Sequence, residues 1–412
     1  MGIEKLEAAL NKEVNDLVEE GRAKGKEDII VGVKMPEGDK GPRYFLKNMG
    51  DKEFLRMNSN SYLGMSLEKD IIQAEEDASR EFGVGPGAVR FINGTFKAHR
   101  DLEKKLAQFH NFEDGMIFSC AYSAMIGVFN SLTSKETIII SDELNHNCII
   151  NAIRLSRPKD KKIYKHNNMD ELEEQIKASA GQCQRALIVT DGIFSMRGDL
   201  APLDKIAELA KKYEDEFPEG IVIMVDDSHG VGAFGATGRG TMEVTGADRV
   251  DVLIGTLGKA FSVNGGYVVT SEAVTRYLRE KAVTYIYSNP ITVGESAACL
   301  KVVEFADSEA GRERLKHVGT LTKQFEDGLK SMDFEIIESE HPIVPLMVRD
   351  TKKTTDIVRF LKENGVLATG LNFPVVPKGD QCIRFQINGN HTPSDIDYVL
   401  GMLRKYKEAN PS

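Results

Sequence analysis

Short runs that are apolar at nearly every position recur from about residue 115 onward. Strands that are apolar throughout, rather than at alternate positions, are typical of a sheet buried on both faces. Between the runs, "MDELEEQIKASA" and "DKIAELAKKYEDEF" have apolar residues at helical spacing. This alternation predicts an α/β fold with right-handed crossovers and a mostly parallel sheet. The predicted strands are "GMIFS", "TIIIS", "RALIVTD", "GIVIMVDD" and "DVLIGT".

The two ends of the chain have different patterns. Near the N-terminus, spacings of three and four predict an amphipathic helix that packs one apolar stripe against a neighbour. After the segment 285–295, a long helical stretch followed by short strands and helices predicts a smaller α+β unit. We therefore expect a helical arm with small strands (1–55), a large α/β domain (56–295) and a C-terminal α+β domain (296–412). The N-terminal stripe consists of Ile3, Leu6, Leu10, Val14 and Leu17.

Composition and charge narrow the classes of function. The net charge of -10 over 412 residues argues against nucleic acid or an anionic membrane surface as the main partner. No apolar stretch of about 20 residues predicts a membrane span, and the acidic start lacks the apolar core of a secretory signal. The five cysteines are scattered without C-x-x-C spacing, so neither a disulfide framework nor a zinc knuckle is predicted. We expect a cytoplasmic protein.

The residues that follow the predicted strands are the candidates for chemistry, because such sheets bind ligands outside the carboxyl ends of their strands. Lys259 in "TLGKAF" follows one strand, and burial there would favour a neutral amine that can form a Schiff base. In "MVDDSHG", Asp226 and His229 could hold a pyridinium nitrogen and a ring hydroxyl, which are groups of pyridoxal 5'-phosphate (PLP). His146 in "ELNHNCI" is either a ring that stacks on a cofactor or a hydrogen-bonded capping residue.

Other patterns near these residues leave alternatives open. Asp226 and His229 alone could be half of a metal site, but no third ligand follows at a suggestive spacing. The glycines of "GVGAFGATGRG" match G-x-G-x-x-G, yet they do not open a helix directly after the strand, so a dinucleotide site is not predicted. In "SCAYSAMIG", Ser119 and a helix N-terminus offer donors to a phosphate, to which Thr256 and Ser195 can add hydroxyl groups.

Several motifs, in the same order, resemble the α-oxoamine synthase family of fold-type I PLP enzymes. The similarity runs from about residue 55 to the end of the chain. It implies an aspartate aminotransferase-like fold, PLP as the cofactor, no metal, and a homodimer with active sites between the subunits. The motifs are "NSYLG", "VRFINGT", "HRDLEKKLAQF", "SDELNHNCIINAIRL", "TDGIFSMRGDLAPL", "VDDSHGVGAFGATGRG", "GTLGKAF", "FPVVPKG" and "IRFQINGNHTP".

The resemblance also implies a role for each candidate residue. Lys259 would form the Schiff base and act as a base, Asp226 would pair with the pyridine nitrogen, and His229 would bond the ring O3'. Arg384 would bind the amino-acid carboxylate as a two-pronged clamp, with Asn60 close by. His146 would stack on the cofactor ring, and Ser195 would lie beside it. The phosphate would be held by Ser119, Thr256 and the backbone near Ala121 and Tyr122. A second subunit would contribute Ser288 or Asn289.

For the activity, the resemblance implies condensation of a small amino acid with an acyl-CoA and release of CoA. The segments "HPIVPLMVRD" and "TGLNFPVVPKG" are most similar to glycine C-acetyltransferases, so glycine and acetyl-CoA are the expected substrates. Met125 and the linker "AFSVNGGY" depart from that pattern. The alternatives are a decarboxylating relative, such as 8-amino-7-oxononanoate synthase, 5-aminolevulinate synthase or serine palmitoyltransferase, then an aminotransferase, and lastly a non-catalytic partner subunit. The presence of Lys259 argues against the last.

Overall fold

The computed structural model describes residues 2–20, 22–23, 25–373 and 375–410. The chain begins with α1 (Ile3–Glu19), which has the predicted apolar stripe. All five residues of the stripe are exposed, so the expectation that it packs against a neighbour is wrong within this single chain. Three short antiparallel strands follow, namely β1 (Ile30–Lys34), β2 (Arg43–Leu46) and β3 (Glu53–Arg56).

A seven-stranded sheet lies at the centre of the fold. Its strands are β4 (Asp114–Phe118), β5 (Thr137–Asp142), β6 (Asp160–Tyr164), β7 (Arg185–Asp191), β8 (Ile221–Asp226), β9 (Val252–Thr256) and β10 (Gly266–Thr270). They are arranged in the order β4-β10-β9-β8-β7-β5-β6, and the five strands from β9 to β6 are parallel. β10 is antiparallel to both of its neighbours, β4 and β9. The prediction of an α/β fold with a mostly parallel sheet is confirmed.

The five predicted strands are all present, as β4, β5, β7, β8 and β9. Two strands of the sheet lie outside the prediction. The sequence of β6, "DKKIY", is mostly exposed at the sheet edge and therefore lacks the apolar pattern of the central strands. β10, "GYVVT", is fully buried, but it returns antiparallel directly after a glycine-containing loop, so no preceding helix separates it from β9.

Helices cover both faces of the sheet. Along β5, Ile138 and Ile140 pack into one hydrophobic cluster, whereas Ile139 packs into another on the opposite face. One strand therefore supplies two cores, which is why it is apolar at successive positions. The helices are α2 (Lys69–Phe82), α3 (Lys97–His110), α4 (Ala121–Leu132), α5 (Asn147–Ser156), α6 (Met169–Lys177), α7 (Leu203–Tyr213), α8 (Thr241–Thr245), α9 (Glu272–Lys281), α10 (Val283–Ile286) and α11 (Val293–Ala306).

The C-terminal part forms a smaller sheet covered by helices. Its elements are α12 (Glu309–Ser331), β11 (Ile343–Met347), α13 (Thr351–Glu363), β12 (Val366–Leu367), β13 (Thr369–Leu371), β14 (Cys382–Gln386) and α14 (Pro393–Ala409). β11, β14 and β13 are antiparallel, while β12 pairs in parallel with β3 and so joins the N-terminal strands to this part. The boundaries at 55 and 295 stay predictions. Within the described ranges, no helix combines the length and apolarity needed to cross a bilayer.

A buried carboxylate on α3 links three elements beside the central sheet. The side chain of Glu103 is fully buried, and its Oε1 accepts a hydrogen bond from the backbone N–H of Ile117 in β4 at 3.1 Å. Its Oε2 accepts hydrogen bonds from Arg279 of α9 at 3.2 Å and from Arg100 of α3. Removing such a buried charge leaves the arginines without their partner, which costs more than the pair itself contributes.

Replacing Glu103 by Gln is expected to lower the free energy of unfolding by about 3 kcal/mol. This value is at the low end for a buried pair because two of the arginine partners, Arg100 and Arg279, keep some solvent contact, although the third, Arg90, is buried 3.0 Å from Oε1. Chemical unfolding followed by circular dichroism measures it, with Glu76→Gln on the exposed surface of α2 as the control. Equal midpoints for the two variants would contradict the structural role of Glu103.

His166 links the end of β5 to the loop after β7. Its Nδ1 lies 3.1 Å from Oδ1 of Asp142, and its Nε2 lies 3.1 Å from Oδ2 of Asp199. Burial opposes protonation of His166, but the hydrogen bonds to both carboxylates prevail and raise its pKa to about 9. The protonated ring therefore donates on both sides and holds the loop that contains Ser195 against the sheet.

This bridge predicts a pH-dependent stability. An unfolded histidine titrates near pH 6.5, so the bridge contributes fully below that pH and is lost as the pH rises through about 9. The variant His166→Gln should be less stable than the native chain by on the order of 2 kcal/mol at pH 6, and the difference should shrink towards pH 10. Unfolding midpoints measured across this range test it. Parallel curves for the two proteins would exclude a bridge based on protonation.

Candidate active site

A cavity lies at the carboxyl ends of the central strands, where the sequence places its polar residues. Eight of the candidate residues lie in its wall, and the sheet brings them together from β4, β5, β7, β8 and β9. The wall residues are Ala121, Tyr122, His146, Cys148, Asp191, Ile193, Ser195, Asp226, Ser228, His229, Thr256 and Lys259. Ser119, Ser288 and Asn289 lie outside this wall in the chain described.

Lys259 follows β9 and turns its amine into the cavity. Burial lowers the pKa of Lys259, although the carboxylates of Asp226 and Asp191 oppose that shift. Across the described ranges, no side chain or carbonyl forms a hydrogen bond or ion pair with this amine. Thr256 stabilises the turn before it, because its hydroxyl accepts from the N–H of Gly258 at 3.1 Å. The fold therefore presents an amine that is easily deprotonated and available to react.

Asp226 and Asp191 are neighbours across β8 and β7, where the sheet register pairs them directly. Burial, and then the charge of Asp226, raise the pKa of Asp191 well above its usual value. Asp191 accepts the backbone N–H of His146 at 2.9 Å. Asp226 accepts the N–H of Ser228 at 3.1 Å and the thiol of Cys148 at 3.3 Å. Burial and the neighbouring carboxylate therefore favour the neutral form of Asp191, while two donors point at Asp226, the carboxylate predicted to face a pyridinium nitrogen.

Cys148 on α5 is a site residue that the sequence analysis missed. With His146 and Asp226 it brings three potential metal ligands within 4.8 Å of one another. Burial, and then the carboxylates, raise the pKa of the Cys148 thiol, so the thiol keeps its proton and donates a hydrogen bond to Asp226. A metal ion would bind the thiolate rather than the protonated thiol. The three groups are therefore better explained as a hydrogen-bonded cluster that supports Asp226 than as a metal site.

His229 lies at the opposite side of the cavity and is fixed by two residues that the sequence analysis also missed. Its Nδ1 is 2.8 Å from the hydroxyl of Tyr62, and its backbone carbonyl accepts from Nε2 of His341 at 2.9 Å. Burial, followed by the charge of Lys259, lowers the pKa of His229 well below the usual value. The ring is therefore neutral. Tyr62 belongs to the "NSYLG" motif and His341 begins the segment "HPIVPLMVRD", so both stood in stretches that carry the resemblance.

The N-terminus of α4 faces the same cavity and supplies donors for an anion. The backbone at Ala121 and Tyr122 lies in the wall, at the start of a helix of 12 residues. Gly266 of β10 makes this approach possible, since a Cβ at that position would lie 2.1 Å from the nitrogen of Ala121. Ser119 is exposed, and its hydroxyl lies 3.2 Å from that of Ser123 rather than in the wall.

Arg384 reaches the edge of the site from β14. Its Nη1 donates to the carbonyl of Ser195 at 2.8 Å, and burial lowers its pKa. The side-chain amide of Gln386 lies within 2.8 Å of both Arg384 Nη2 and Asn60 Oδ1. The predicted pair of Arg384 and Asn60 is therefore linked through Gln386, beside the loop that contains Ser195.

These residues fit PLP. The anion cradle suits a phosphate, Asp226 suits a pyridinium nitrogen, and the amine of Lys259 suits an aldehyde. The hydroxyl of Ser228 adds independent support, because it is buried in the cavity wall without a hydrogen-bond partner in the part of the chain that the structure describes. A buried polar atom of this kind indicates a site shaped for a ligand.

Comparison with known proteins agrees with this geometry. Residues 52–403 match the family "Aminotransferase class I and II". The chain is 41% identical to 8-amino-7-oxononanoate synthase of Thermosipho melanesiensis, covering 86% of this chain and 88% of the relative. It is 38% identical to 8-amino-7-oxononanoate synthase 1 of Bacillus subtilis, covering 90% and 92%.

Solved structures extend the comparison to the fold. Serine palmitoyltransferase from S. paucimobilis, solved with a PLP–myriocin adduct bound, matches with a TM-score of 0.87 and 25% identity over 99% of this chain and 98% of that chain. The family model and the curated relatives cover nearly the whole chain, and the PLP-binding fold agrees with the predicted one. The chain therefore belongs to the class I and II aminotransferase family, and within it to the PLP-dependent α-oxoamine synthases.

Proposed function

We propose that this chain condenses alanine, or a similarly small amino acid, with the thioester of a dicarboxylic acid, with loss of carbon dioxide and release of the thiol. The observation that carries the proposal is the amine of Lys259, which has no protein partner in the described residues and faces Asp226 in a cavity bordered by Arg384. Substrate identity is supported by the relatives, because both are named for the product 8-amino-7-oxononanoate.

The name of that product defines the chemistry of its precursors. A nine-carbon acid with a ketone at C7 and an amine at C8 contains a seven-carbon diacid acyl group and a two-carbon amine. Alanine supplies that two-carbon amine once its carboxylate is lost. The expectation of glycine and acetyl-CoA is thus less well supported than the decarboxylating alternative, and it becomes one of the outcomes that the test below distinguishes.

Each residue of the site has a task in this reaction. When bound, PLP supplies an electron sink for the negative charge that develops at the α-carbon of the amino acid. Arg384 holds the substrate carboxylate through a planar guanidinium, and its bond to Ser195 fixes the direction of that group. Lys259 takes the α-proton as a neutral amine, which the lowered pKa of Lys259 favours. Asp226 keeps the charge that stabilises a pyridinium nitrogen.

The bond changes balance without a further reactant. The α-proton moves to Lys259, a bond forms between the α-carbon and the acyl carbonyl carbon, and the carbon–sulfur bond breaks to release the thiolate. The carboxylate then leaves as carbon dioxide, and a proton returned by Lys259 takes its place. Tyr62 contacts Nδ1 of the neutral His229 imidazole. Nε2 is therefore left as the nitrogen that could donate to the O3' hydroxyl oxygen of PLP.

The variant Lys259→Ala is expected to lose the visible absorption of a PLP Schiff base, and its turnover rate should fall by about a hundredfold or more. Absorption spectra of the purified protein and thiol release from an acyl-CoA measure the two effects. Lys135→Ala, on an exposed loop, is the matched control and should keep both. If the Lys259 variant is folded by circular dichroism and retains full turnover, the assignment of the amine is wrong.

Substrate choice is tested with a panel of glycine, alanine and serine against acetyl-CoA and the CoA thioester of heptanedioic acid. Thiol release, carbon dioxide release and the product mass should all be greatest for alanine with the diacid thioester, because the product then matches the one in the relatives' name. Turnover restricted to glycine and acetyl-CoA would restore the first expectation. Turnover of an oxo acid without thiol release would identify an aminotransferase instead.

A further inference from the structure

A second cavity opens beside the candidate active site and is lined mostly by apolar side chains. It has a volume of about 140 Å³ and lies between the loop after β7, strand β11 and the segment that precedes β14. A methylene group is about the size of a water molecule, which occupies about 30 Å³ in the liquid, so the cavity has room for a short alkyl chain. The apolar lining includes Leu144, Phe194, Met196, Met347, Val376 and Cys382.

The two cavities are adjoining, because Ser195 lies in the walls of both. Cys382 also lines the second cavity and stands two positions before Arg384 on β14, so both side chains lie on the same face of that strand. Arg384 in turn donates to the carbonyl of Ser195. A substrate whose carboxylate is held by Arg384 would therefore lie beside the wall that the two cavities share.

Arg197 provides a positive charge in the lining of this cavity. Its Nε donates to Asp199 at 2.9 Å, while neither Nη1 nor Nη2 has a hydrogen-bond partner in the part of the chain described. The lining also contains the carboxylate of Asp380, which lies 3.6 Å from Nη1 of Arg349; because Arg349 also pairs with Glu335, part of the negative charge of Asp380 remains. The guanidinium of Arg197 is thus the group in the lining that can receive an anion through two N–H donors.

We propose that this cavity binds the acyl chain of the substrate and that Arg197 binds a carboxylate at the far end of that chain. The inference rests on the proposed function and names Arg197 as the residue that selects the acyl substrate. The chain in the relatives' product has five methylenes between its ketone and its carboxylate, and at about 30 Å³ each the cavity has room for about four of them. The side chain of a small amino acid would leave the cavity empty, and the phosphates of CoA would be poorly matched by a mostly apolar lining.

The contacts of Arg197 fix the orientation of its guanidinium group. Asp199, which accepts from its Nε, is fixed in turn by His166, so one side of the guanidinium is anchored to the sheet. The side chain remains 39% exposed, which limits the strength of an ion pair but leaves the outer nitrogens accessible. An anchored guanidinium loses less freedom when it binds a carboxylate, which favours recognition of the chain terminus.

The test compares two CoA thioesters of equal chain length, those of heptanedioic acid and of heptanoic acid, with alanine as the amino acid. The native enzyme should prefer the diacid in kcat/KM, and Arg197→Gln should reduce that preference by about tenfold or more, mainly through KM. Arg197→Lys should retain part of the preference because it keeps the charge. Arg359→Gln, on the exposed face of α13, is the matched control and should leave the ratio unchanged.

The possible outcomes separate this inference from the proposal on which it depends. Absence of thiol release with every thioester would overturn the proposed function itself. Turnover of both thioesters with equal kcat/KM, or a ratio unchanged by Arg197→Gln, would overturn the role of Arg197 and leave the condensation reaction standing. A parallel loss with both thioesters would show that the variant disturbs the loop rather than recognition of the carboxylate, and would also count against the inference.

Discussion

The site depends on the cost of burying two carboxylates opposite each other. Asp191 and Asp226 are paired in register on adjacent strands, at the end of a sheet that is covered on both faces. Two charges at such a place would repel strongly, so burial and the charge of Asp226 raise the pKa of Asp191. Asp226 accepts hydrogen bonds from the thiol of Cys148 and the N–H of Ser228. The Asp226 carboxylate is thus held in place near the amine of Lys259, where it could also pair with a pyridinium nitrogen.

A third carboxylate explains the glycine-rich segment after β8. Asp227 is fully buried, and its oxygens accept from the N–H and the hydroxyl of Thr241, each at 2.7 Å. A Cβ at Gly230 or at Gly240 would lie 2.2 or 2.0 Å from this carboxylate. The glycines are therefore needed so that the backbone can enclose Asp227. No helix follows β8 directly in the structure, which agrees with the interpretation that the G-x-G-x-x-G pattern is not a dinucleotide site.

Much of the fold and of the cavity wall could be predicted because the signal is local. An apolar run identifies a strand, and the residues after it, such as Asp226 and Lys259, must then lie at one edge of the sheet. The supports of these residues depend on contacts between distant parts of the chain. Tyr62 reaches His229 across 167 positions, and Cys148 reaches Asp226 across 78. No spacing rule connects such pairs. The strand β6 was not predicted for a different reason: it lies at the exposed edge of the sheet, and its sequence therefore lacks the apolar pattern of a buried strand.

The same distinction explains why the reaction could be predicted more securely than the substrate. The groups proposed to act on the α-carbon are held at strand ends by the register of the sheet, and a change there would disturb several buried contacts at once. The second cavity is bounded instead by the loop 193–200 and by the segment before β14, where single side chains can vary without altering the sheet. A difference of one methylene in such a pocket changes selectivity by only about 1 to 3 kcal/mol. Motifs such as "GTLGKAF" therefore identify the chemistry. Arg197, the proposed determinant of the acyl chain, lies inside another motif, "TDGIFSMRGDLAPL", and the pattern alone does not reveal that role.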